Sequence, residues 1–147
     1  MLDKLADATE NVFNSMNISF SVMTTSKSMY HTIESDTAIL VGITGQKNSG
    51  MITFEFDDQA KFEIIDTMMQ GMEVEADSDV ARSAIAELSN MISGMFLSNL
   101  DIGGLEITTP TIIQGENLLA LINTLETQRI YANVGAGGNL IISLSFG

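Results

Sequence analysis

Apolar and polar positions alternate along this chain with two periods, and the switches between them mark the elements. Leu2, Leu5, Val12, Phe13 and Met16 recur at helical spacing and predict an amphipathic helix at the N-terminus. Ile18, Phe20 and Val22 then alternate with Ser19 and Ser21, which predicts a strand with one wet face. Residues 37–43 are nearly all apolar, as in a central strand covered on both sides. Lys47-Asn48-Ser49-Gly50 is turn material, and after it Ile52, Phe54 and Phe56 alternate with Thr53 and Glu55, closing a hairpin.

Asp57 is placed to cap a second helix, whose stripe is read as Phe62, Ile65, Met69 and Met72, with Gly71 as its stop. Glu73, Glu75, Asp77 and Asp79 follow, but without the ligand spacing and closing Glu of a calcium-binding loop. Residues 72–79 therefore read as a solvated connection, with Asp77, Ser78 or Asp79 capping a third helix over 79–100. Ile85, Leu88, Ile92 and Met95 or Phe96 form that helix's apolar stripe. Ser83, Glu87, Asn90 and Gly94 fall along a different stripe, so a carboxylate and a carboxamide point the same way one turn apart. Gly94 costs a helix about 1 kcal/mol relative to Ala, which makes sense where another backbone or a partner approaches closely.

Gly103-Gly104 turns the chain into a strand over 105–109 that ends at Pro110, the only proline. Residues 118–125 are ambiguous: their composition suits a helix, but they are few and sit among strands. Residues 128–134 and 139–146 flank Gly135-Ala136-Gly137-Gly138 as a second long hairpin. In each half a helix leads into strands and ends in a hairpin whose closing strand finishes on a Phe. This pattern predicts one α/β (α+β) domain over 1–147, a pseudo-symmetric and largely antiparallel sheet with long helices packed on one face. The leading helices align in two registers, Phe13 opposite Asn90 or Asn11 opposite Glu87, and neither gives the first helix both a Glu and an Asn. Residues 139–147 contain no acid, and Leu140, Ile142 and Leu144 lie near a chain end that nothing later covers. An apolar edge of that kind calls for a partner, which predicts a two-fold homodimer.

Charge narrows the partners. Six Lys plus Arg stand against nineteen Asp plus Glu, a formal net charge of −13. Nucleic acid and anionic membranes need a cationic surface and are excluded as partners. Cysteine is absent, so there is no thiolate zinc site and no cysteine nucleophile. The start lacks a signal-peptide layout and no apolar run reaches membrane-span length, so a cytoplasmic protein is expected. His31, beside Tyr30, reads as a loop residue.

The segment Ser83-Ala84-Ile85-Ala86-Glu87-Leu88-Ser89-Asn90 resembles the signature of the CheC/CheX/FliY phosphatases: an Asp or Ser, three residues, Glu, two residues, Asn, and a proline further on, here Pro110. A single E-x-x-N copy resembles the CheX-like members, since CheC-like members typically carry two. The resemblance implies hydrolysis of the aspartyl phosphate on a CheY-like response regulator. It assigns Glu87 and Asn90 to the chemistry, and Ser83, Gly94 and Pro110 to partner binding. It implies no metal site or cofactor intrinsic to the chain, Mg2+ being supplied by the receiver domain, and it adds to the expectation of a homodimer. Phosphoryl transfer of this kind is mostly positioning and electrostatics. A neutral carboxamide can hold a water whatever its protonation state, and a carboxylate can pair with the receiver's lysine. Two other readings use the same helix face: a catalytically idle adaptor or dimerisation module that docks a receiver, and a structural piece like those of the flagellar switch.

Overall fold

The apolar runs become the framework of the computed structural model, which describes residues 1–115, 120–122 and 126–147. The first half of the chain forms α1 (Leu2–Ser15), β1 (Phe20–Ser28), β2 (His31–Ile33), β3 (Thr37–Thr44), β4 (Gly50–Phe56) and α2 (Asp58–Met68). The second forms α3 (Asp79–Asn99), β5 (Glu106–Ile107), β6 (Thr111–Gln114), β7 (Ala120–Ile122), β8 (Thr127–Val134) and β9 (Gly138–Phe146). The main sheet runs β1-β8-β9-β4-β3, with β5 and β6 both lying along the far edge of β3. Its pairings are antiparallel.

The period of two sends Ile39, Val41, Ile52, Phe54, Ile130, Leu140, Ile142 and Leu144 to one face, where all are buried beneath the helices. α1 and α3 pack on one another there. The Lys4 ammonium donates to the Asn99 carbonyl at 3.1 Å, so the start of α1 lies at the end of α3. α1 buries Leu5, Ala8, Thr9, Val12 and Phe13, and Phe13 stacks on Phe20 with ring centroids 5.6 Å apart. The buried hydroxyls of Thr9, Ser89 and Ser93 donate to carbonyls four residues back on their own helices, so they enter the interface already satisfied.

The two halves exchange edges. β1 follows α1 but pairs with β8 of the second hairpin, while β6 follows α3 but pairs with β3 of the first. β2 and β7 pair with each other as a separate two-stranded sheet. The predicted pseudo-symmetric, antiparallel α+β architecture is the one observed, with α2 as the element that has no counterpart.

Several local expectations are corrected. α2 starts as expected, with the Asp57 carboxylate accepting from the Ala60 N–H at 2.8 Å, but it buries Ala60, Lys61, Ile64 and Ile65. Phe62 and Met72 are instead exposed. The polar Lys61 concealed the true stripe; its ammonium donates to the Thr37 hydroxyl at 3.0 Å. The helix stops one residue before the predicted glycine acts. Gln70 takes the left-handed conformation, its N–H bonding to the Thr67 carbonyl, and the Gly71 N–H reaches back to Asp66. Val22 is exposed because β1 is an edge strand and its register shifts between Val22 and Thr24. The chain does not leave the sheet at Pro110: the strand continues as β6.

His31 is not a loop residue. It opens β2 and is fully buried against the second face of the main sheet. Its Nδ1 lies 2.6 Å from the Ser145 hydroxyl and its Nε2 2.8 Å from the Thr53 hydroxyl. Burial, reinforced by the Arg129 guanidinium, pushes its pKa down to about 4. β9 is no exposed edge either, because β8 and β4 flank it on both sides. Its apolar residues are covered within one chain, and among the described residues the sheet's edges lie at β1 and at β5 and β6. Of the ambiguous stretch 118–125, residues 120–122 form β7; the rest falls outside the described residues.

Candidate functional site

α3 owes its place to a polar start and a two-faced sequence. The Ser78 hydroxyl accepts from the Ala81 N–H at 3.2 Å as the N-cap, and Arg82 in the first turn pairs with Asp79. Ala81, Ala84, Ile85, Leu88, Ser89, Ile92, Ser93 and Phe96 are buried against α1 and the sheet; the stripe thus continues through Phe96, with Met95 facing outward. The rotation left over turns Ser83 and Glu87 to solvent and leaves Asn90 half-buried.

The opposing wall is made by the edge of the sheet. β5 pairs Ile107 with Ile43, and β6 pairs Thr111 with Leu40. Between these pairings the edge strand carries one more residue than β3, a bulge that contains Thr109 and Pro110. Proline suits such a place, since it has no N–H to give to a ladder. Thr108 anchors the bulge: its hydroxyl accepts from the Gly42 N–H at 2.8 Å and its own N–H donates to the Gly42 carbonyl at 2.9 Å. A Cβ on Gly42 would stand 3.0 Å from the Thr108 methyl, so glycine leaves room for this approach.

Between helix and bulge runs an open groove of about 440 Å³ lined by Ser83, Ala86, Glu87, Asn90, Ile107, Thr108, Thr109 and Pro110. Four of the five residues singled out in the sequence, Ser83, Glu87, Asn90 and Pro110, thus share one cleft despite the separation of Pro110 in the chain. Gly94 does not line it; it lies one turn further along the helix, and an added Cβ would meet nothing within 4 Å. Close packing inside this chain is therefore not the reason for that glycine. Sequence reading missed Ala86, Ile107, Thr108 and Thr109, and the one available signal was the proline beside the last three.

Glu87 is the one charged residue among those lining the groove, and no basic side chain shares it. Among the described residues, neither the Glu87 carboxylate nor the Asn90 amide is engaged by a hydrogen bond or ion pair within the chain. The groove therefore offers a free anionic acceptor for a cation and a free carboxamide able both to donate and to accept. A second hollow of about 300 Å³, lined in part by Phe62, Ile65, Met72 and Val74 beside α2, includes none of the candidate residues. Among the described residues no cluster of three or more His, Asp or Glu side chains is placed to hold a metal ion.

Comparison with known proteins places the architecture first among CheC/CheX-like folds. The chemotaxis protein CheX of Desulfovibrio desulfuricans superposes with a TM-score of 0.85 at 21% identity, covering 99% of this chain and 97% of that one. The CheX in the CheX-CheY-BeF3-Mg2+ complex of Borrelia burgdorferi superposes with a TM-score of 0.74 at 20% identity, covering 99% and 96%. Residues 37–131 match the family described as chemotaxis phosphatase CheX, and the chain belongs to that family. The CheY-P phosphatase CheX of Thermotoga maritima is 35% identical over 81 residues, 54% of this chain and 52% of that protein. The chain thus aligns with about half the length of that curated relative.

Proposed function

We propose that this protein removes the phosphoryl group from the aspartyl phosphate of a CheY-like response regulator, acting in the cytoplasm in chemotaxis signalling. The observation that carries this reading is the unengaged pair of Glu87 and Asn90 on the wall of one open groove. Membership of the chemotaxis phosphatase family supports it, as does the naming of the Thermotoga relative as a CheY-P phosphatase. The Borrelia neighbour is itself a complex with CheY.

Asn90 holds the attacking water through its carboxamide and aligns it with the phosphorus. The water oxygen bonds to phosphorus as the bond to the aspartyl oxygen breaks; the receiver recovers its carboxylate and inorganic phosphate leaves. Glu87 pairs with the receiver's lysine, a charge-assisted contact that sets the register of Asn90 on the phosphoryl group. Ser83 and the Thr109–Pro110 bulge border the same cleft and orient the partner. The chain needs no metal or cofactor of its own for this, because Mg2+ arrives with the phosphorylated receiver.

The test follows loss of phosphoryl label from a CheY-like receiver charged with acetyl phosphate. Asn90→Ala should lower the rate about 10²-fold or more while receiver binding is retained, as expected when a reactant is no longer positioned. Glu87→Ala should weaken binding and rate together. Wild-type turnover by Asn90→Ala would overturn the mechanism, and absence of turnover by the parent protein would leave it an adaptor.

A further inference from the structure

We infer that the second face of the sheet, turned away from the helices, carries a binding site for a small zwitterion, an apolar α-amino acid held between Glu55 and Arg129. This stands independently of the reading of Glu87 and Asn90, since the hollow concerned shares no lining residue with the groove beside α3. The pleat builds the site. Ile141 of β9 stands opposite Tyr131 of β8 on one side and Glu55 of β4 on the other, and Arg129, two residues before Tyr131, projects from the same face. β2, seated on this face through His31, brings Thr32, and Glu34 follows it. These six residues line a hollow of about 240 Å³. Pockets for drug-sized ligands run to roughly 300–1,000 Å³, so this one suits a small metabolite.

Two opposite charges border the hollow without meeting: among the described residues, Glu55 and Arg129 form no ion pair. Each is fixed by bonds of its own. Glu55, only 3% exposed, accepts the N–H groups of Glu34 and Ser35 on its Oε1 at 2.8 and 3.2 Å. Arg129 donates from Nε to the Ser143 hydroxyl at 3.2 Å, and from Nη2 to the carbonyls of Tyr30 and Thr32 and the Thr32 hydroxyl. Oε2 of Glu55, Nη1 of Arg129 and the Tyr131 hydroxyl are left unused by any of these bonds. Among the described residues no sealed side-chain N or O atom lacks a partner, so these three groups are open to solvent, and the hollow is the opening their residues share.

Tying down the turn after β2 does not by itself call for a carboxylate, because a Gln oxygen would accept the same two N–H groups. A largely buried charge with one oxygen unpaired is unfavourable, and a ligand ammonium at Oε2 removes that penalty, with the exposed Glu34 adding negative charge at the rim. The opposite end of the ligand faces Nη1 of Arg129, where a carboxylate makes a charge-assisted bond, and the Tyr131 hydroxyl can donate a further one. A simple cation would leave the guanidinium unanswered, and a simple anion would meet two carboxylates. Ile141 and the ring of Tyr131, both half-buried, form the apolar floor for the side chain.

The experiment titrates the nitrogen-15-labelled chain with L-valine, L-leucine and L-phenylalanine in turn, following amide resonances and thermal unfolding. At least one should shift the amides of Thr32, Glu55 and Arg129 with a Kd of about 1 mM or tighter. At about ten times that Kd it should raise the melting temperature by about 4 °C. N-acetyl-leucine, which lacks the ammonium, and 3-methylbutylamine, which lacks the carboxylate, should bind about tenfold more weakly or worse than leucine. Glu55→Gln should keep the melting temperature of the free protein near that of wild type and weaken binding about tenfold. Should that variant fail to fold, Tyr131→Phe takes its place, with an expected loss of about threefold. No shift at these amides with any of the three amino acids, equal binding of the N-acetyl form, or undiminished binding by the folded variant would overturn the site.

Discussion

His31 allows a quantitative test of the fold, because it is the only histidine in the chain. Its imidazole is fully buried and pushed down to about 4, chiefly by desolvation and further by the Arg129 guanidinium. Its folded pKa thus lies below its unfolded value of about 6.5, and the unfolded chain binds the extra proton between these limits. The stabilisation is complete above about pH 6.5 and is lost as pH falls toward 4. At about 1.36 kcal/mol per unit, linkage makes the His31 contribution about 2 kcal/mol smaller at pH 5 than at pH 7. Carboxylates titrate over part of the same range, so the reading must be differential. Urea unfolding of wild type and His31→Gln at both pH values isolates the imidazole, since Gln retains a donor and an acceptor for Ser145 and Thr53 but does not titrate. Wild type should lose about 2 kcal/mol more than the variant over this interval. The proton resonance of the lone imidazole should show no titration near pH 6.5 in the folded protein. Parallel stability losses, or a midpoint near 6.5 in native protein, would refute a neutral buried His31.

Asp57 both caps α2 and accepts from the backbone and side chain of Asn139, at 3.0 and 2.9 Å; Asp57→Ala should cost about 1–2 kcal/mol in urea unfolding, and a change within error would refute its role in joining α2 to the second hairpin. Burial opposes ionisation of that carboxyl, but these donors and the Ala60 N–H outweigh it and hold its pKa below the usual value, so its contribution should be present above about pH 4 and fade as pH falls further. Chelation of Mg2+ should abolish dephosphorylation of a receiver yet leave the melting temperature of this protein unchanged; a lowered melting temperature would point to a metal of its own. A homodimer, proposed now through the β1 edge of the sheet, should sediment at twice the chain mass, and a monomer at tens of micromolar would rule it out.

The hairpins, the long third helix and the stripe of Ser83, Glu87 and Asn90 were legible because each is encoded by neighbours at a regular period. Ile52, Phe54 and Phe56 read as one strand face without reference to any other part of the chain. The pieces that eluded sequence reading depend on distant partners. β2 has three residues, and what makes a buried His31 tolerable is the pair of hydroxyls that Thr53 and Ser145 present from strands far along the chain. Lys61 hid the inward face of α2 because a buried ammonium needs partners: the Asp58 carboxylate, 3.6 Å away, lies one turn back on the same helix, but the Thr37 hydroxyl at 3.0 Å comes from a distant strand. β9 reads as an uncovered edge from chain order, but the exchange of edge strands between halves places the last strand in the interior. The groove itself was half legible. Its helix wall could be read from spacing, whereas its second wall exists only because β5 and β6 meet β3 in registers one residue apart.

That second wall bears on why a doubled fold carries one E-x-x-N pair. Each half has a long helix, and each edge strand that follows one shows an irregularity: β1 shifts register between Val22 and Thr24, as the edge formed by β5 and β6 does around Thr109–Pro110. The backbone ingredients of a groove are therefore present in both halves, and what differs is side-chain chemistry. α1 presents acids and amides to solvent but never a Glu followed three residues later by an Asn, and the bulge of β1 has Met23 where the other edge has Pro110. The first half serves the fold, since Leu5, Val12 and Phe13 fill the core and β1 supplies the outer ladder of β8. With its packing requirement met on the inner face, the outer face of α1 carries the polar residues that water favours. The outer face of α3 differs in carrying Glu87 and Asn90 along the wall of a groove, so the proposed chemistry sits on the solvent side of a single helix.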